Sequence, residues 1–459
     1  MENFWEFSAW GTYNLIAVLL LSLLAATMLR KNIKWLNESL IPTSVLGGGI
    51  LIVIAGIYKL ITGDTMFDTA FFGGNGTANL ELITYHTLAM GFIASTFKTS
   101  DKKLDKKRLT EIFNTGVTTV ATYLLQGVVG LAITIIAAKV ISGFFPAAGL
   151  LLPFGYGQGT GQAMNYGNIY EMDYGFEGGK SFGLAVAALG FLSASIGGVV
   201  HLNIRKKHLR AKGSKATEGQ LRAEEIQAEN EIPMQDSVDK MTIQVALVAA
   251  AYLLAYLLMY ILGQLLPGMK SVIFGFNFLL GVLAATLIKS VLGMLKRMNI
   301  IKKEYTNNFL MTRVSNFFFD IMVVAGIAAI RLSVLQDYWG ILLILGVVGL
   351  VITYWYNRLV AKTLFKEYQE EQFLTMYGML TGTASTGIIL LREIDGDFKT
   401  PAADNMVYQN FPAIVFGFPL MLLATLAPVQ PILTLLILIG FFVVMNIILF
   451  RSVIFRKKR

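Results

Sequence analysis

The sequence contains no cysteine among its 459 residues, which excludes disulfides, cysteine-based zinc sites and a thiol nucleophile. Histidine is also scarce. There are three residues and no His-Glu-x-x-His string, so a metal enzyme has no support. The phosphate-binding pattern Gly-x4-Gly-Lys-[Ser/Thr] is missing too, which argues against nucleotide binding. A nucleophilic serine would need a base partner, and none is visible. The sequence therefore favours no enzyme class.

Charge is the next scarce property: charged residues make up 15% of the chain and hydrophobic residues 55%, with a mean hydropathy of +0.61. Apolar runs of about 20 residues recur, and this length predicts transmembrane helices. The first run follows an acidic, aromatic start without a basic region or a cleavage site, so we interpret it as a retained helix and not as a signal peptide. The eleven predicted spans lie at about 11–29, 41–62, 82–97, 114–142, 181–204, 242–265, 271–289, 309–330, 340–357, 405–427 and 431–450.

The placement of lysine and arginine predicts the orientation of these helices. With the N-terminus outside, 30 of the 38 basic residues fall in segments that would face the cytoplasm. Loop 63–80, on the opposite side, has none. This asymmetry follows the positive-inside rule. We therefore predict a multi-pass membrane protein with its N-terminus outside and its C-terminus in the cytoplasm.

A charged stretch at 205–240 divides the chain and is predicted to be a cytoplasmic linker. The first repeat spans 1–204 and the second 241–427, each with five helices, and 428–459 adds one further helix and a basic tail. Because the first half starts outside and the second inside, we predict an all-α polytopic membrane protein with two inverted-topology five-helix repeats. Such repeats are the best sequence pointer to a secondary transporter.

Each half contains one glycine-rich polar segment at the matching place in its plan. The first lies near 143–175 and includes Gly157-Gln-Gly-Thr-Gly-Gln-Ala163, and the second lies near 373–395 and includes Leu380-Thr-Gly-Thr-Ala-Ser-Thr-Gly387. We predict that each forms a re-entrant hairpin, because irregular backbone at membrane depth is tolerated only where protein or a water-filled cavity satisfies it. Helix N-termini at the tips would offer N–H groups to an anion, and freed carbonyls suit a sodium ion. The alternative is that these glycines only allow helices to pack closely.

The candidate substrate- and ion-binding residues are the polar and glycine positions of these segments. They are Gln158, Gly159, Thr160, Gly161, Gln162, Asn165, Asn168, Thr381, Gly382, Thr383, Ser385, Thr386, Gly387 and Arg392. No organic cofactor or resident metal is predicted, and Na+ is the expected coupling ion.

Ionisable residues at membrane depth are costly and suggest function. Asp320 and Asp395 are candidates for a cation path or for structural ion pairs, and Asp320 would then pair with Arg313 or Arg331. Arg392 would either hold a substrate carboxylate bidentately or pair with Asp395 or its neighbour Glu393.

Two further features belong to the first half. Pro42 with Gly47–Gly49 predicts that the second span is either broken or closely packed. Glu81 and His86 are expected at the membrane interface.

At these residues the sequence resembles the bacterial sodium–glutamate symporter family. The two glycine-rich segments match the family's motif in each half, and Leu40-Ile-Pro-Thr-Ser-Val-Leu-Gly-Gly-Gly49 matches its Ile-Pro-x-x-x-x-Gly-Gly element after the first helix. The resemblance implies a two-repeat fold, a homodimer and sodium-coupled uptake of L-glutamate, or a similar acidic amino acid, by alternating access. It also implies a moving core of hairpins against a static scaffold.

The sequence departs from the family pattern in three respects: the second segment lacks a Gly-Gly pair, the chain has an extra C-terminal helix and the central linker is long. These departures leave a citrate-type or other dicarboxylate substrate open. A channel or a non-transporting membrane protein is the alternative from a different class, and saturable sodium-dependent uptake would separate it from a transporter.

Overall fold

The structure is a computed structural model that describes residues 3–98, 105–209, 231, 239–396 and 399–454. Within these residues all regular secondary structure is helical, apart from one isolated β-bridge between Glu231 and Glu304. The all-α class is therefore confirmed. The basic C-terminal cluster and most of the predicted linker lie outside the described residues.

The helices are given in turn for the first and the second half of the chain. The first half contains α1 (Phe7–Asn32), α2 (Lys34–Glu38), α3 (Thr43–Thr62), α4 (Gly76–Phe97), α5 (Lys106–Val140), α6 (Leu151–Tyr174) and α7 (Gly179–Leu209). The second contains α8 (Lys240–Leu265), α9 (Lys270–Gly275), α10 (Asn277–Arg297), α11 (Asn308–Ala328), α12 (Trp339–Leu364), α13 (Gln369–Thr381), α14 (Ala384–Arg392), α15 (Ala402–Tyr408), α16 (Asn410–Leu426), α17 (Pro431–Leu449) and α18 (Arg451–Ile454).

Nine helices of the described chain are long and apolar enough to cross a membrane, or ten if the pair α15–α16, bent by 53°, is one span. The protein is therefore a multi-pass membrane protein. Helix α4 corresponds to the predicted span 82–97, although it starts earlier, at Gly76, and it is not among the nine. The predicted span 271–289 is interrupted at Phe276, between α9 and α10.

The second span is continuous, so the prediction of a broken helix was wrong and that of close packing is confirmed for two of its glycines. Pro42 is the N-cap of α3, where its missing N–H costs no helical hydrogen bond. An ideal Cβ at Gly47 would lie 3.3 Å from the backbone of Ser22, and one at Gly48 would lie 2.6 Å from Ile327 Cβ. Gly49 meets nothing within 4 Å.

The helices pack as two groups. The lateral bundle consists of α1, α3, α4 and α8–α11, and the hairpin bundle consists of α5–α7 and α12–α17. Helix α6 makes extensive contacts with both, so it lies where the bundles meet. The inverted orientation of the two halves stays a prediction.

Within the predicted linker the structure describes residues 205–209, which continue α7, and residues 231, 239 and 240. Glu231 is packed. Glu231 accepts hydrogen bonds from Lys240 Nζ at 2.7 Å and from Asn307 Nδ2 at 2.6 Å. Lys240 is fully buried. This part of the linker is therefore attached to the ends of α8 and α11.

The close contact between Gly149 and α5 in the hairpin bundle can be tested by substitution. Gly149 lies against α5, where an ideal Cβ would be 1.9 Å from the Gly130 carbonyl oxygen. Gly149→Ala should therefore lower the free energy of unfolding by about 1–3 kcal/mol through overpacking. Thermal unfolding of the detergent-purified protein measures this, and Gly49→Ala, in open space, is the control. Equal melting temperatures for the two variants would contradict the packing.

Candidate functional site

The first glycine-rich segment reverses the direction of the chain. Gly159 has φ 79° and ψ −170°, which interrupts the helical backbone of α6. The rings of Phe154 and Tyr166 then stack at 3.9 Å between centroids. In an unbroken helix these residues would be about 18 Å apart along the axis. Residues Leu151–Tyr174 therefore form a helical hairpin, called the first hairpin, with Gly159 at its tip.

Three tyrosines on the second arm hold this hairpin to α16. The hydroxyls of Tyr166, Tyr170 and Tyr174 donate to backbone carbonyls of α16 at 2.8, 2.8 and 3.0 Å. Their spacing of four residues places them on one helix face. The hairpin is thereby joined to a helix from the other half of the chain.

The second segment forms a second hairpin, Gln369–Arg392, whose arms are α13 and α14. Gly382 and Thr383 separate the arms. An ideal Cβ at Gly378 would lie 2.8 Å from Gly387 Cα, so the two arms touch through backbone. Glycine on both arms permits this approach.

The tips of the two hairpins meet. An ideal Cβ at Gly159 would lie 3.7 Å from Thr383 Cγ2. Met322 of the lateral bundle and Phe191 of α7 surround the same point at 3.8 and 4.0 Å. Two segments far apart in sequence thus form one site, at the boundary between the bundles.

Most of the predicted residues lie at or next to this meeting point. Thr383 caps α14 by accepting from the Thr386 N–H at 3.4 Å, and the Thr160 hydroxyl donates to the Met322 carbonyl at 3.2 Å. Ser385 is exposed, so the start of α14 is accessible. The residues brought together at the tips are Gln158, Gly159, Thr160, Gly161, Thr381, Gly382, Thr383, Ser385 and Thr386, with Gly387 one turn further along.

Gln162 and Asn165 face the lateral bundle. Asn165 Nδ2 donates to Gln162 Oε1 at 3.3 Å and to the Gly275 carbonyl at 3.2 Å, at the break between α9 and α10. Both side chains are buried. They connect the first hairpin to the interrupted helix of the lateral bundle.

Asn168 and Arg392 are not at the tips. Asn168 is exposed on the second arm of the first hairpin. Arg392 ends α14, about 13 Å along the helix from Thr383. Asp395 accepts from the backbone N–H of Lys399 and Thr400 at 2.8 and 2.9 Å and from the Thr400 hydroxyl at 2.6 Å, so this carboxylate holds a loop.

An ion pair of Asp320 with Arg313 or Arg331, one of its two predicted roles, is not present among the described residues. Arg331 Nη2 lies 3.5 Å from Glu81, and Arg313 lies over the ring of Phe309 at 5.0 Å. Asp320 is exposed on α11.

Glu81 belongs to a charged network between the bundles. Its carboxylate accepts from Lys180 at 2.7 Å, and Lys180 is 3.7 Å from Glu171. These residues and Arg331 line a pocket of about 230 Å³. His86 is apart from them and bonds to the Tyr252 hydroxyl at 2.7 Å.

Two residues of α5 that the sequence did not single out support both tips. The Tyr123 hydroxyl donates to the Gly157 carbonyl at 3.0 Å, next to the first tip. Gln126 Nε2 donates to the Leu380 carbonyl at 2.9 Å, next to the second. Each carbonyl lies where a helix ends and lacks its usual amide partner, so α5 supplies the missing donor.

A buried ionic cluster fixes the base of the second hairpin. Glu370 accepts two hydrogen bonds from Arg358, at 2.8 and 2.7 Å. His201 bridges Glu370 at 2.9 Å and the Tyr354 hydroxyl at 2.8 Å. The cluster joins α7, α12 and α13 at the end of the hairpin remote from its tip.

In a comparison with known protein families, residues 8–394 match the family described as sodium/glutamate symporter. The chain belongs to the sodium/glutamate symporter family. The matched region includes both hairpins and the contact between their tips. No curated protein matched the chain. Among the described residues, no group of three or more histidine, aspartate or glutamate side chains could hold a metal ion.

The backbone at Gly159 predicts a strict requirement for glycine. Its φ and ψ fall in a region that is essentially open to glycine alone. Gly159→Ala should therefore reduce transport at least ten-fold while the protein is still inserted in the membrane. Gly175→Asn is the matched control, because its φ of 71° and ψ of 23° are accessible to asparagine. Uptake into proteoliposomes is the measurement, and normal uptake by Gly159→Ala would contradict the tip geometry.

The cluster at the hairpin base gives a stability prediction. Arg358→Met removes the charged partner that donates two hydrogen bonds to the buried Glu370 carboxylate. The substitution should therefore lower the free energy of unfolding by about 3–5 kcal/mol. The control is Lys107→Met, because the pair Lys107–Glu367 is exposed and such pairs contribute little. Thermal unfolding in detergent compares the two. A loss no larger than that of the control would contradict the anchoring role.

Proposed function

We propose that this symporter imports L-glutamate, or a similar acidic amino acid, together with Na+ across the bacterial inner membrane by alternating access. Membership of the sodium/glutamate symporter family supports the substrate class and the coupling ion. The contact between Gly159 and Thr383, where the hairpin tips meet, is the observation on which we base the proposed binding site. We further propose a homodimer with the N-terminus outside.

The chemistry of the tips suits a carboxylate. The second arms of the hairpins begin at Thr160 and Ala384, so two helix N-termini converge on the contact point. Their first N–H groups lack intrahelical acceptors and their dipoles favour negative charge. Thr383 and Ser385 add hydroxyl donors. Placement of substrate between the tips also accounts for the polar, glycine-rich character of these segments, since side chains would block approach to the backbone.

The division into two bundles supports alternating access. We propose that the hairpin bundle moves against the lateral bundle and exposes the tips to each side in turn. The network of Glu81, Lys180 and Arg331 crosses the boundary between the bundles, so it would have to open in one of the two states. A site reached alternately from two sides is a carrier and not a continuous pore.

Substitution of Thr383 tests the site. Thr383→Val keeps the shape but removes the acceptor for the Thr386 N–H, so it should reduce the initial rate of uptake at least ten-fold. Thr383→Ser should retain uptake because it keeps the hydroxyl. Arg392→Gln, at the far end of the same helix, is expected to leave the apparent KM unchanged. These rates are measured in proteoliposomes with an inward Na+ gradient and with K+ in its place.

Normal sodium-driven uptake by Thr383→Val would overturn the site assignment. Saturation with substrate and dependence on the Na+ gradient separate a symporter from a channel. Competition by unlabelled L-glutamate, L-aspartate and citrate then tests the substrate class. Stronger competition by citrate than by L-glutamate would replace the proposed substrate.

A further inference from the structure

Helix α5 presents a polar face to the interior of the hairpin bundle. Each of its polar residues Thr115, Thr118, Thr119, Thr122 and Gln126 lies three or four residues from another of the set, and all are at most 2% exposed. Such a stripe at the centre of a membrane-spanning helix is costly unless its groups have partners or a function.

The stripe meets two polar residues of α12. Gln126 Nε2 donates to Thr353 Oγ1 at 2.8 Å, and Asn357 Nδ2 approaches Thr122 Oγ1 at 3.4 Å. Thr122 and Gln126 are one turn apart on α5, and Thr353 and Asn357 are one turn apart on α12. These four side chains, here called the amide–hydroxyl cluster, therefore lie within about one helical turn, 5.4 Å, of one another along the axes.

Two oxygens of the cluster have no protein donor among the described residues: Gln126 Oε1 and Asn357 Oδ1. Their amide orientations are set by neighbours that can only accept. Gln126 Nε2 faces the Leu380 carbonyl at 2.9 Å, and Asn357 Nδ2 faces the Thr353 carbonyl at 3.0 Å. Rotation of either amide would place two acceptors against each other. The groups left without a donor are therefore oxygens.

Buried oxygens without donors are unusual in a folded protein, because each such group costs about 1–3 kcal/mol. The four residues are at most 1% exposed. Amide and hydroxyl oxygens are ligands for a hard cation, so a bound cation would satisfy the two oxygens that lack a donor. None of the four side chains carries a charge that a proton could neutralise, so the cluster suits a metal ion and not a proton.

The position of the cluster connects it to the second hairpin. The Leu380 carbonyl belongs to the last turn of α13, and the C-terminal end of a helix carries partial negative charge. Freed carbonyls and helix C-termini of interrupted membrane helices coordinate sodium in other transporters. A cation here would attract the end of α13 and so influence where Gly382 and Thr383 lie.

We propose that the amide–hydroxyl cluster of Thr122, Gln126, Thr353 and Asn357 is a binding site for the coupling sodium ion. This inference rests on the proposed sodium-coupled function and adds its ion site. The ion would be separate from the substrate at the tips and would communicate with it through Gln126 and the end of α13. Sodium would bind before substrate and stabilise the second hairpin in its substrate-binding form.

The test is a titration of the purified full-length protein with NaCl in the absence of substrate, with choline chloride keeping the ionic strength constant. Thermal stability reports binding, and the half-saturating Na+ concentration is read from the titration. Asn357→Leu removes an oxygen of the cluster and should raise this concentration at least ten-fold. Asn446→Leu is the matched control, because this amide bonds to the Tyr356 hydroxyl at 2.9 Å beside the same helix but outside the cluster.

Thr353→Val provides a second variant that preserves side-chain shape, in case Asn357→Leu does not fold. It is expected to raise the half-saturating Na+ concentration as well. Sodium-driven uptake is measured in parallel, and its dependence on Na+ should shift by the same factor.

The outcomes separate the two proposals. Unchanged half-saturation in both cluster variants, with normal stabilisation of the wild type by Na+, would overturn the site and leave the symport intact. Sodium-driven uptake by a wild type that NaCl does not stabilise would also overturn the proposed sodium site. The two oxygens would then be hydrogen-bonded to water. Uptake by the wild type that is independent of the Na+ gradient would instead overturn the proposed function.

Discussion

The need to satisfy backbone hydrogen bonds where a helix is interrupted inside a membrane determines much of this structure. Two hairpins reverse near Gly159 and Thr383, and each reversal frees carbonyls that water cannot reach in a bilayer. Helix α5 supplies the donors, Tyr123 for the first hairpin and Gln126 for the second. Because these residues are nearly one turn apart on one helix, both tips are held against the same support, and their contact follows from that arrangement.

The hairpins were predictable because a stretch rich in both glycine and polar side chains is costly within an ordinary membrane-spanning helix, and two matched segments reinforced each other. The reversal at Gly159 and the short break at Gly382 agree with that prediction. The general class followed from hydropathy in the same way. The repeat in inverted orientation remains a prediction, since direction across a membrane is a property of the bilayer as well as of the chain.

Other features could not be predicted, since they depend on neighbours distant in sequence. Gly47 and Gly48 are compatible with a bend or with close packing, and Ser22 and Ile327 decide for packing. Asp320 had two possible arginine partners, Arg313 and Arg331, but Arg331 lies against Glu81 on α4 instead. The polar stripe on α5 was visible as a period of three to four, but in an otherwise apolar span threonines often bond only to their own helix. Only the structure shows that Thr353 and Asn357 of α12 lie against Thr122 and Gln126 of this stripe.

The three tyrosines that join the first hairpin to α16 have a consequence for the order in which the protein assembles. The hydroxyls of Tyr166, Tyr170 and Tyr174 bond to carbonyls of residues 421–425, which are synthesised about 250 residues later. Until α16 enters the membrane these phenols have no native acceptor. The first hairpin therefore cannot reach its final environment during synthesis of its own half. Insertion of the early helices and assembly of the hairpin bundle must be separate stages, and the second waits for nearly the whole chain.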